Sequence, residues 1–160
     1  MIPEGPFLFS VAALSVTLAG FAGLVSAFRR GAGWTALDVF RLREIAEFGL
    51  GNALLALLLV PLSTTLGDVG LALRICGATG VLVVLGGMRV LLRRQRRLGV
   101  PSERGWYILA GALDAGAVGA GIATAVAGTV GLFEWQLLFL LGRPMLAFVL
   151  VLSSLRHDEG

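Results

Sequence analysis

Polar positions are scarce along this chain and fall in clusters, leaving five long apolar stretches between them: Phe7 to Phe28, Phe48 to Leu66, Gly70 to Leu92, Trp106 to Phe133 and Trp135 to Leu155. A hydrocarbon core about 30 Å thick needs roughly 20 apolar residues at about 1.5 Å each. Every stretch is of that order. A backbone in lipid must satisfy its own hydrogen bonds, and over such runs the α-helix does so within a single segment. The pattern therefore predicts an all-α, polytopic membrane bundle of five transmembrane helices. Residues 1–160 form one domain, because the connections are too short to hold another.

The sign of the polar clusters predicts orientation. Arg29, Arg30, Arg41 and Arg43 lie between the first two spans, Arg93, Arg94, Arg96, Arg97 and Arg104 between the third and fourth, and Arg156 after the fifth. The segments around Gly67-Asp68 and Glu134 contain no arginine. Cytoplasmic flanks collect basic residues, so the alternation predicts N-terminus out and C-terminus in. Glu4 stands where a secretory signal would carry basic charge, which reads as a retained first helix. Trp106, Tyr107 and Trp135 suit interface belts.

Helices two and three are expected to run on at the cytoplasmic side. Thr35 and Asp38 form an imperfect capping box, with Arg41–Glu44 and Arg43–Glu47 as supporting pairs. Helix three continues through Arg97 until Gly99 and Pro101 stop it. Arg93, Arg94, Arg96 and Arg97 are then placed to meet anionic lipid headgroups.

Composition narrows the chemistry. Apolar residues make up 57% of the chain and charged ones 14%, against about a quarter charged in soluble domains, which excludes a water-soluble fold. All basic residues besides His157 are arginine, so lysine Schiff-base chemistry, retinal photochemistry included, has no residue to use. Cys76 and His157 are single, which leaves no His/Cys metal site, no axial haem ligation and no internal disulfide within one chain. Ser153 and Ser154 have no histidine or lysine base on the inner half of their span. Gly116, Gly119 and Gly121 follow no strand, which removes a nucleotide-binding reading. No catalytic residue, cofactor, metal or nucleic-acid partner is expected.

The run Val16 to Arg30, VTLAGFAGLVSAFRR, followed by Trp34, Asp38 and Arg41-Leu42-Arg43, resembles a family of short, uncharacterised bacterial multi-pass membrane proteins over the first third of the chain. The resemblance implies a bacterial inner membrane and carries no activity.

Charge within a span costs roughly 2.5 to 3.5 kcal/mol per residue on insertion scales, so such residues are candidates for function. Arg74 lies about one turn from its helix end and can snorkel, as can Arg89 and Glu47 at interfaces. Arg143 falls mid-span within Leu141-Gly142-Arg143-Pro144, where Pro144 removes a helical hydrogen bond and Gly142 eases a kink. Asp114 on helix four lies about 6 Å from the same depth, counted at about 1.5 Å per residue. The pair is either an ion pathway or a buried salt bridge that locks adjacent helices.

Small residues, mostly alanine and glycine, cover nearly all of the surface of helix four from Ala110 to Gly128, with Val118, Ile122 and Val126 at spacing four above Asp114. Small faces serve close helix packing in lipid, which predicts helix four at the centre of the bundle or of an oligomer, with Gly116 and Gly119 matched by Ser15, Ala19, Gly23 and Ala27 on helix one. Around an oligomer axis, Asp114 would form an acidic ring beneath a valine and isoleucine constriction. Asn52, Thr124 and Thr129 are expected as hydrogen-bonding glue between helices.

The leading expectation is a homo-oligomeric channel or transporter-like protein for a small ion. The alternative is a structural or accessory subunit docking a partner membrane protein or lipid. A third reading places a lipid or small hydrophobe between helices at Arg143.

Overall fold

A computed structural model describes residues 5–28, 36–98 and 104–157. Thr35, Gly99, Pro101, Arg29, Arg30 and Trp34 lie outside the described residues. The described chain forms α1 (Gly5–Phe28), α2 (Ala36–Leu66), α3 (Val69–Leu98), α4 (Arg104–Ala127) and α5 (Val130–His157). All five are long and apolar enough to cross a membrane.

Two turns fix the hairpins. After α2, Gly67 takes φ 66° and its amide donates to the Ser63 carbonyl at 3.0 Å, while Asp68 Oδ1 accepts from the Leu71 amide at 3.1 Å and caps α3. After α4, Gly128 takes φ 65° and donates to Thr124 at 2.8 Å. This second break comes earlier than hydropathy predicts. The fourth span was expected to reach Phe133, but Phe133, Glu134 and Trp135 belong to the first turns of α5. A left-handed glycine ends the helix, and the apolar residues beyond it hide that end from a count of hydrophobicity.

The packing places α5, not α4, at the centre. α5 touches all four other helices and α2 touches α1, α3 and α5, whereas α4 packs only on α3 and α5 among the described residues. The expectation of helix four at the centre of the single-chain bundle is thereby corrected. Small residues permit close approach, but only one side of α4 uses it. Ala112, Ala115 and Gly119 are exposed on the other.

The stripe assigned to helix one is also corrected. Ser15 and Ala19 are buried, but Gly23 and Ala27 are exposed, and the buried line is Leu8, Val11, Ala12, Ser15, Ala19 and Ala22. Strict spacing of four drifts about 40° per step around a helix of 3.6 residues per turn, whereas alternating threes and fours stay on one face. Gly119 departs as well: a Cβ there would meet nothing within 4 Å, while one on Gly116 would stand 2.8 Å from the Phe139 ring.

A close backbone approach joins α3 to α4. A Cβ on Gly77 would lie 2.8 Å from both the Ala125 amide nitrogen and the Gly121 carbonyl oxygen, so backbone, not a pliable side chain, would have to move. Gly86 on the same helix faces open space. Gly77→Ala is expected to destabilise the fold by about 1–3 kcal/mol through overpacking. Gly86→Ala should leave the midpoint of thermal unfolding in detergent unchanged or slightly raised, since alanine is the better helix former.

Candidate functional site

Arg143 is the most constrained polar residue of the bundle. It sits mid-way along α5, about 20 Å from the α4–α5 turn at about 1.5 Å per residue, and is 3% exposed. Its Nε donates to Glu44 Oε1 of α2 at 2.8 Å, and its Nη1 donates to Asp114 Oδ2 of α4. The guanidinium carbon stands 4.3 Å from the centre of the Phe48 ring, a cation–π contact that water does not weaken here. One side chain thus joins three helices. Arg41, also buried, acts electrostatically on Glu44, so two cations and two carboxylates occupy this layer.

The location follows from the helices that carry it. On α5, Arg143 lies one turn from Leu140 of the larger apolar cluster and one turn from Ala147 of the smaller. The charged layer therefore separates two dry cores. α5 continues as α-helix through Pro144, and an added Cβ on Gly142 would stand 3.0 Å from Leu113 of α4. The missing amide of Pro144 leaves the Leu140 carbonyl without its usual partner.

The structure brings Asp114 and Arg143 together inside one subunit, and this corrects the acidic ring. Asp114 is 5% exposed and faces Arg143, whereas Ile122 and Val126 are 53% and 72% exposed on the outer side of α4. Val118 packs against the larger core cluster. Each step of four rotates these positions away from Asp114, so they do not stack above it as a constriction. A lipid at Arg143 is likewise corrected, since two carboxylates occupy the guanidinium and bury it.

Glu44 is the member that sequence reasoning missed. It had been paired with Arg41 in a juxtamembrane turn, yet it is 1% exposed and bonds across 99 positions to Arg143. A signal for it existed: Glu44, Phe48 and Asn52 share one face of α2 at spacing four. The companion expectation of Arg43 with Glu47 is present at 2.7 Å, and Glu47 also accepts from Arg94 at 3.1 Å.

Further along that face, Asn52 Nδ2 donates to Ser15 Oγ of α1 at 3.1 Å and to the Leu137 carbonyl of α5 at 3.3 Å. Gln136, which the sequence reading did not single out, donates from Nε2 to the Gly77 carbonyl at 3.2 Å. A Cβ on Gly80 or Gly121 would collide with this Gln136 amide. Its signal was the pair of glycines that clear a space for it. Thr124 does not bridge helices: its hydroxyl donates to the Ala120 carbonyl of its own helix at 2.8 Å, the usual alternative for a threonine inside a helix. Arg74 and Arg89 are exposed, as snorkelling residues should be.

This arrangement can hold helices in register and can carry fixed charge in a medium of low dielectric. Glu44 Oε2, Asn52 Oδ1 and Gln136 Oε1 are buried acceptors without a hydrogen-bond partner among the described residues. Arg143→Met would leave Glu44 and Asp114 buried with no cation between them, an expected loss of about 3–5 kcal/mol. Asp114→Asn keeps Glu44 opposite the guanidinium and should cost less, about 1–3 kcal/mol. Thermal unfolding of both variants in one detergent checks that order. Compared with family models, curated proteins and solved structures, the chain matches none.

Proposed function

We propose that this chain is a non-enzymatic scaffold of the bacterial inner membrane, oriented N-out and C-in with α2 and α3 running past the cytoplasmic interface, and that it assembles through the outer face of α4. The observation that supports this is a spacing. Ile108, Ala112, Ala115, Gly119, Ile122 and Val126 are all exposed and recur at alternating intervals of four and three, the repeat of left-handed helix pairs. Small residues at the middle of that seam let a second helix approach closely in lipid, where packing and not hydrophobicity drives association. The same helix spends Asp114 inward on Arg143, which leaves its outer face uncharged. The partner helix is a second copy of α4 or a helix of another membrane protein.

A second reading, passage of a small ion through the oligomer under the control of Asp114 and Arg143, draws on Glu44 Oε2 and Asn52 Oδ1. These unpartnered acceptors lie two turns apart on one face of α2 and are the kind of oxygen a cation or proton would seek.

Ala115→Cys is expected to yield disulfide-linked dimers in native membranes, and Gly119→Leu in the same chain to abolish them. Leu54→Cys, on the 70% exposed outer face of α2, should give none. Monomers throughout, with no co-purifying membrane protein, would overturn the scaffold reading. Ion flux into liposomes decides the second: it requires a wild-type flux above protein-free vesicles that changes in Asp114→Asn while the oligomer persists, and equal flux in all three preparations removes it.

A further inference from the structure

We infer that the groove between α2 and α3 is a binding site for one anionic phospholipid, with its phosphate at Arg93 and Arg97 and one acyl chain lying between the helices. The groove encloses about 320 Å³, within the range of roughly 300–1,000 Å³ typical of ligand pockets. Phe48 and Leu55 of α2, Val83 of α3 and Leu140 of α5 make its walls apolar. Gly51 and Gly87 keep it open: a Cβ on Gly51 would only reach ordinary contact with Val83 at 3.9 Å, and one on Gly87 would meet the Phe48 ring at 3.4 Å. Its lining runs from Glu47 to Leu55 on α2 and from Val83 to Arg94 on α3. At about 1.5 Å per residue that is about 12 to 16 Å, close to one leaflet of a 30 Å core.

What identifies the occupant is the charge at one end. A second concavity, of about 280 Å³, is lined by Val90, Arg93, Arg94 and Arg97, and it shares Val90 and Arg94 with the groove. Arg94 is engaged by Glu47, and Glu47 is also held by Arg43, so the single carboxylate at the junction is already offset. Arg93 and Arg97 are exposed, one turn apart, and form no ion pair with a described residue. An apolar slot of leaflet length that opens beside two uncommitted guanidiniums complements an acyl chain joined to a phosphate, since planar guanidinium forks match phosphate oxygens. Asn52 also lines the slot, and its amide nitrogen is spent on α1 and α5.

The experiment is native mass spectrometry of the full chain, released from nanodiscs containing equal phosphatidylglycerol and phosphatidylcholine. The wild type is expected to retain one phosphatidylglycerol in clear preference. Arg93→Gln with Arg97→Gln should reduce that preference by about fivefold per arginine, the effect of one juxtamembrane charge, without altering thermal unfolding. Gly51→Leu should lower retention of both lipids by filling the slot. Val83→Trp, entering from a lipid-facing position that is 44% exposed, does the same if Gly51→Leu fails to fold. Equal retention of the two lipids by the wild type would overturn the proposal. So would an unaltered count of bound lipid in Val83→Trp, which would reduce the arginines to general surface attraction.

Discussion

A guanidinium removed from water must be surrounded by its own counter-charges, and in this bundle the buried Arg143 ties that requirement to three helices. Arg143 is buried by protein, and Glu44 and Asp114 come to it from two other helices. The penalty for a bare charge in the interior is several kcal/mol even after relaxation. Alternative packings that part α2, α4 and α5 therefore lie well above the observed one. Lipid supplies no general drive for helices to associate. A specific, costly polar group that only one arrangement satisfies does what a hydrophobic core does in water, and adds selectivity.

Glycines make that arrangement reachable. α3 contributes no charge to the central layer, yet Gly77 sets its backbone against α4, and Gly80 with Gly121 makes room for Gln136. The amide of Gln136 then bonds to the Gly77 carbonyl. Close approach and polar pairing thus occur at the same place. A larger residue at any of the three glycines would disturb both. On the outer side of α4 the small residues Ala112, Ala115 and Gly119 are exposed, and that contrast between its two faces underlies the assembly proposed through it.

The five spans, their order and the depth match of Asp114 with Arg143 were legible because each rests on length or counting. Four features were not. The end of α4 depends on the backbone angle of Gly128, which no hydropathy value registers. The partner of Glu44 stands 99 positions away on α5, beyond the reach of a local pairing with Arg41 three residues earlier. The centrality of α4 was inferred from what its residues permit. Burial was decided by which helices carry groups that need partners, and α5, with Gln136 and Arg143, carries the most demanding. The stripe on α1 failed at Gly23 and Ala27 because a spacing of four leaves the buried face within two or three turns.

The span of chain between Glu44 and Arg143 has a consequence for biogenesis. Helices enter a membrane in order from the ribosome, and the glutamate on the second arrives 99 positions ahead of the arginine that neutralises it. The aspartate on the fourth waits only 29. Until α5 is delivered, the carboxylates of α2 and α4 lack the guanidinium that pairs with them in the folded bundle. α5 is then the bolt across this bundle, and without it two acids on separate helices are left stranded.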